Sequence, residues 1–182
     1  LHDLDFFRLH PEHQVYNSLN KLKIANLASK IGISLYSPNQ VTNQMLKSID
    51  VVQLPYSIFD RRFEESKLFH KFKNHKIEIH ARSIFLQGIL LMPINKIPVY
   101  FLNWKEYFIK FKEWLDLERI SPLAACINFV NENNFIDKMI VGVESNNQLL
   151  DILSSVNLDK NILWPNFAIT DEKLLNPSLW NI

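Results

Sequence analysis

Residues 77–91 read "IEIHARSIFLQGILL", and this stretch decides the fold. Its first part, Ile77–Ser83, has the length and β-branched content of a strand, and it ends on the polar pair Arg82–Ser83. Three other runs match it: Ser29–Tyr36 ("SKIGISLY"), Asp50–Pro55 ("DVVQLP") and Lys138–Val143 ("KMIVGV"). These runs are apolar without strict alternation, which predicts strands buried on both faces of a parallel sheet covered by helices.

The intervening segments carry helical spacing. "VYNSLNKLKIANLA" aligns Val15, Leu19, Leu22 and Ile24, and "SPNQVTNQMLKSI" opens with Ser37 as N-cap and Pro38 at the first helical position. "RRFEESKLFHKFKNH" puts Phe63, Leu68, Phe69 and Phe72 on one stripe. Two helices, "WKEYFIKFKEWLDL" and "SPLAACINFVNENN", fill the longer connection, and Asn146–Val156 follows the last strand. The order β-α-β-α-β-α-α-β-α argues for right-handed βαβ units, in either an open doubly wound sheet or a (β/α) barrel. Neither GxGxxG nor GxxxxGK[ST] occurs, so no phosphate-loop version of the open sheet is supported.

Composition excludes several classes. The chain has 182 residues, 47% hydrophobic and 21% charged, with 20 basic and 19 acidic residues, so no global charge recruits nucleic acid or an anionic membrane. Its apolar runs are too short to span a bilayer. The single Cys126, within "PLAACINFV", reads as a buried small hydrophobe in a reducing cytosol, which gives a cytoplasmic expectation. The six histidines show no metal-ligand spacing. His80 reads as a satisfied buried histidine, and His70 and His75 as solvated. No nucleophile elbow accompanies a serine or Cys126. "WKEYFIKFKEW" reads as an amphipathic outer helix rather than a nucleic-acid patch. Polar residues do recur where strands end: His2–Asp3, Ser34 and Ser37, Gln53, Arg82–Ser83, and Gly142 to Ser145. Such a set of donors and acceptors on one rim suits amide and phosphate recognition better than metal binding.

At "KIGISLYSPNQ", "DVVQLPYSIFDRRF", "IEIHARSIFLQGILL" and "IVGVESNNQLLDIL" the chain resembles the aldo-keto reductases, and within them a bacterial branch found alongside sugar and cell-surface carbohydrate enzymes. The resemblance implies an α/β fold, the C-terminal part of a (β/α)8 TIM barrel holding about strands 4 to 8 with their helices. It implies an NAD(P)H-dependent oxidoreductase that passes a hydride reversibly between nicotinamide and a carbonyl or alcohol, with NADP(H) as cofactor and NAD(H) as the alternative. The substrate would be a small carbonyl compound, sugar-derived if the branch holds. Residue by residue, His2 resembles the catalytic histidine that orients the carbonyl at the fourth strand. Ser34 and Gln53 match the residues at the nicotinamide carboxamide, while Leu35 stands where the family has asparagine. Arg82 replaces a tyrosine that stacks on the nicotinamide ring, and Ser83 matches the residue after it. Leu86, Gln87 and Gly88 fall where a loop crosses the pyrophosphate. Gly142, Glu144, Ser145 and Gln148 fall at the eighth-strand loop that receives the adenosine 2′-phosphate. No lysine or arginine lies between 142 and 148, and Glu144 opposes a phosphate.

Under this alignment the first strand present is the fourth, and the catalytic tyrosine, lysine and aspartate would lie upstream of Leu1. The chain is then expected to be a fragment: one partial barrel domain over 1–182, with 157–182 a C-terminal extension packed on it. It would be inactive alone, and its barrel would be completed by a missing N-terminal half or a second chain. The competing expectation is a non-catalytic, barrel-derived module that binds a nucleotide or a partner.

Overall fold

The computed structural model describes residues 12–156 and 162–181. Its regular elements begin with helix α1 (Glu12–Ile24), strand β1 (Gly32–Ser34), helix α2 (Asn43–Ser48), strand β2 (Val51–Pro55), and helices α3 (Arg62–Glu65) and α4 (Leu68–Asn74). Strand β3 (Glu78–Arg82), helices α5 (Lys105–Glu118) and α6 (Pro122–Asn131), strand β4 (Lys138–Met139), and helices α7 (Asn146–Ser154) and α8 (Glu172–Leu175) follow. The strands make one sheet in the order β1-β2-β3-β4, and every neighbouring pair is parallel. Parallel neighbours require a crossover, which the helices provide. A doubly wound sheet reverses its strand order at a switch point. Here spatial order equals chain order, so the winding runs in one direction, as in an arc of a (β/α) barrel.

Each strand is shorter than its apolar run, and burial alternates where burial on both faces is predicted. Val52, Leu54, Ile79 and Ala81 are fully buried, while Val51, Gln53, Glu78, His80 and Arg82 are half-buried. Among the described residues helices cover only one face, so the polar parity of β2 and β3 is left on an open face. That parity is present in the sequence, but the short runs conceal it.

Two predicted helices are divided. At 37–49, the Gln40 side chain accepts from the Tyr36 and Ser37 amides at 2.6 and 3.0 Å and closes a separate 3-10 turn over Pro38–Gln40. Thr42 is the N-cap of α2, its hydroxyl accepting from the Met45 amide at 3.1 Å. At 61–75, Lys67 adopts a left-handed φ of 61° and separates α3 from α4. Helices α5 and α6 lie within two or three residues of expectation, and Ser121 caps α6 through the Ala124 amide at 3.1 Å.

The core is strongly aromatic. Phe59, fully buried, meets Phe108, Phe111 and Phe167 at centroid distances of 5.5, 5.6 and 6.3 Å. Residues 162–181 reach this core: the Ile169 amide donates to the Phe59 carbonyl at 2.9 Å, Trp164 packs on Trp114 and Phe129, and Trp180 meets Phe101 edge-on. Cys126 is fully buried, and burial pushes its thiol up to about 12, so it packs as a small hydrophobe. No described helix is long and apolar enough to cross a membrane.

Candidate functional site

A parallel sheet delivers all its strand C-termini to one rim, and the register sets which side chains meet there. Ser34 pairs with Gln53, Gln53 with His80, and Pro55 with Arg82. Ser34, Gln53 and His80 therefore form a row across the open face, with Arg82 one pleat further toward the rim. A groove of about 360 Å³ runs along this face, lined by Gly32, Ser34, Val51, Gln53 and His80 among others.

The groove contains a hydroxyl with no partner among the described residues. Ser34 is only 5% exposed and its Oγ makes no hydrogen bond among the described residues, although buried hydroxyls are normally satisfied. Beside it, the Gln53 side chain makes no hydrogen bond among the described residues. A primary carboxamide brings one acceptor oxygen and two N–H donors, and a serine hydroxyl with a glutamine amide offers the complement.

Arg82 is placed by a defect in the ladder. The Leu35 amide donates to the Gln53 carbonyl at 2.7 Å, so the Leu35 carbonyl faces the amide position of Pro55, which carries no hydrogen. The Arg82 Nη2 donates to that carbonyl at 3.1 Å, reaching from β3 across β2 to the end of β1. Nη1 donates to the Ser83 hydroxyl at 3.2 Å, and the guanidinium lies 4.5 Å above the Tyr36 ring. Nε is buried without a partner among the described residues. Burial and the neighbouring Arg62 hold the group below the usual arginine range, opposed by Tyr36 and Asp60.

The loop after β3 is strained. Ser83, Leu86 and Gln87 have φ of 58°, 46° and 54°, and Gly88 has φ of 86°. A Cβ at Gly88 would meet nothing within 4 Å, so conformation and not space favours glycine there. Three non-glycine residues in this region cost on the order of 1–3 kcal/mol each, a pattern that concentrates at ligand-holding loops. At the β4 end, Ser145 caps α7 through the Gln148 amide at 3.2 Å, and Gln148 Oε1 accepts from the Glu144 amide at 2.8 Å. These two bonds, the second to the residue before the cap, engage Ser145 and Gln148 within the chain. Gly142 and Glu144 are exposed beside it.

Ser34, Gln53, Arg82 and Ser83 thus converge, Leu86 to Gly88 follow directly, and Gly142 to Gln148 sit at the neighbouring strand end. His2 lies outside the described residues. His80 differs from its expected burial: it stands half-buried in the groove, its Nε2 3.3 Å from Glu78, which also binds Lys30. Glu78 is held below its usual carboxyl range, first by the Lys30 hydrogen bond. Tyr36 is a site residue that sequence reasoning misses, because its role depends on where Arg82 ends. The most strongly shifted tyrosine is structural. Tyr56 is 1% exposed and accepts from Asn133 at 2.7 Å; burial, then the Glu64 carboxylate, raises its pKa, and it ties β2 to the end of α6 away from the groove. No group of three or more candidate metal ligands occurs among the described residues.

A model described as "Aldo/keto reductase family" matches residues 2–162. Among solved structures, the chain superposes on an aldo-keto reductase from Bacillus halodurans in its holo form with a TM-score of 0.72 at 21% identity, covering 100% of this chain and 59% of that one. The apo form of that protein gives 0.68 at 19%, covering 94% and 60%. A Pseudomonas aeruginosa protein provisionally assigned to the aldo-keto reductases gives 0.55 at 17%, covering 85% and 47%. The chain therefore spans less than two thirds of the length of each, and at these identities the likeness is one of fold. No curated protein matches.

Proposed function

The chain belongs to the aldo-keto reductase family, and on that premise we propose that it supplies the cofactor-binding part of an NAD(P)H-dependent oxidoreductase acting reversibly on small carbonyl compounds. The observation that carries the proposal is the pair Ser34 and Gln53: adjacent in register, lining the groove, with a buried hydroxyl that no atom of the described residues satisfies. These donors and acceptors fit the nicotinamide carboxamide. When bound there, the reduced ring supplies a hydride to a carbonyl carbon. The chain's own residues orient that ring: Ser34 and Gln53 fix the amide, and the 83–88 loop offers backbone at the pyrophosphate, with Gly88 allowing close approach. His2, at the end of the preceding strand in this reading, directs the carbonyl oxygen. NADP(H) is the cofactor, with NAD(H) the alternative, because Glu144 and the lack of lysine or arginine over 142–148 do not favour a 2′-phosphate.

In the same reading the four strands are the fifth to eighth of a (β/α)8 barrel. Residues 1–182 form one partial barrel domain, with 157–182 as its extension. Earlier βα units, or a second chain, complete the barrel and bring the tyrosine, lysine and aspartate. The substrate is a sugar-derived carbonyl compound, and the setting is cytoplasmic, without nucleic-acid or membrane partners.

Titration with NADPH, followed by quenching of the four tryptophans, tests the assignment. Ser34→Ala and Gln53→Ala should each weaken binding about tenfold, the effect of losing roughly one hydrogen bond of 1–1.5 kcal/mol. Binding that is indifferent to both substitutions would remove the nicotinamide from this groove.

A further inference from the structure

We infer that Arg82 receives an anionic oxygen of the bound ligand at Nε, and so selects carbonyl substrates that bear a carboxylate. The guanidinium is held by three contacts: the Leu35 carbonyl at 3.1 Å, the Ser83 hydroxyl at 3.2 Å and the Tyr36 ring at 4.5 Å. All three are electrically neutral, so the cation has no counter-ion in contact among the described residues. The nearest candidate, Asp60, is committed: it is 2% exposed and grips Arg62 through both carboxylate oxygens at 2.8 Å each. A buried charge without a partner is costly, and a buried N–H without an acceptor adds to the cost. Arg82 is half-buried, so its charge bears part of the first cost, and its buried N–H at Nε, unpaired among the described residues, bears the second.

The position of the guanidinium narrows the ligand. It binds the carbonyl of Leu35, the residue that follows Ser34, beyond the C-terminal end of β1. Pro55 leaves one carbonyl open, and Arg82 fills it, which fixes the guanidinium plane before any ligand arrives. A pre-set arginine fork suits a carboxylate or phosphate oxygen better than a neutral carbonyl. Two sources carry that chemistry, a substrate carboxylate and a phosphate of the cofactor. The substrate assignment rests on the oxidoreductase proposal above: if Ser34 and Gln53 hold the carboxamide, the reacting end of the cofactor is beside Arg82 and its phosphates lie further off, at the 83–88 loop. An anion on the substrate would also offset repulsion between Arg82 and an oxidised, positively charged ring.

Calorimetry with a matched pair of probes, para-carboxybenzaldehyde and its neutral near-isostere para-nitrobenzaldehyde, decides the point, with and without NADP+. The wild-type protein should prefer the carboxylate. Arg82→Gln should lose para-carboxybenzaldehyde affinity tenfold or more, as expected for a hydrogen bond to a charged group, with para-nitrobenzaldehyde nearly unchanged and NADP+ bound no more weakly, since removing the cation relieves its repulsion with the oxidised ring. Arg82→Lys should recover part of the preference through charge alone. Loss of NADP+ affinity without change in the aldehyde preference would assign the anion to the cofactor phosphate. Equal wild-type affinity for the two aldehydes, together with NADP+ binding indifferent to both substitutions, would overturn the inference. It needs no well-folded variant, since the wild-type comparison stands alone. Failure of NADP+ to bind at all, with the carboxylate preference intact, would instead count against the nicotinamide assignment while upholding the role of Arg82.

Discussion

At Gly32 strands β1 and β2 come so close that an added Cβ would lie 2.3 Å from the Val51 carbonyl oxygen. Backbone cannot yield as a flexible side chain does, so Gly32→Ala should destabilise the fold by about 1–3 kcal/mol, the usual cost of overpacking. Denaturant unfolding measures this directly, and an unchanged midpoint would show that β1 can shift freely. Ser34 and Gln53 next along these strands were legible in the sequence, because both are polar residues at the ends of apolar runs. The setting of Arg82 was not. It depends on a proline in the neighbouring strand that leaves the Leu35 carbonyl open, and on a tyrosine two residues beyond Ser34. Neither can be derived without the register.

Two of the βαβ units are fastened by the same device at the rim opposite the strand C-termini. Asp50, just before β2, accepts from the Ile31 amide at 2.9 Å and from Lys23 of α1 at 2.7 Å. Asp137, just before β4, accepts from the Ile79 amide at 2.7 Å and from Lys73 of α4 at 2.5 Å. Burial works to raise both carboxyls, but the lysine and the backbone amide outweigh it, and both are held below the ordinary value of 3.8. A carboxyl depressed in the folded state stabilises fully above its unfolded value and loses that contribution as pH falls through the folded one. Stability should therefore fall as pH drops below 3.8, and Asp50→Asn with Asp137→Asn should flatten that part of the profile in thermal melts. A double variant with the wild-type acid limb would show that these carboxylates do not fasten the rim. At this scale the helices were readable from their spacing, but their breaks were not. A glutamine side chain closes the turn before α2, and a left-handed lysine ends α3; both are local choices that hydrophobic period does not encode.

Across the whole molecule, sheet order carries the most information. Strand–helix alternation left open a doubly wound sheet and a barrel arc, and the order β1-β2-β3-β4 favours single winding. Covering one face by helices leaves the other as a groove that gathers Ser34, Gln53, His80 and, at its rim, Arg82, so the open face is both the departure from the expected burial and the location of the candidate site. Aromatic residues of 162–181 brace the covered face through Phe167, Trp164 and Trp180. The most direct test of cofactor binding at this rim is to map backbone amide shifts by NMR as NADPH is added. Perturbations should concentrate at 34–36, 53–56 and 82–88. Shifts confined to the opposite rim, around Lys23, Asp50 and Asp137, or none at saturating NADPH, would contradict it.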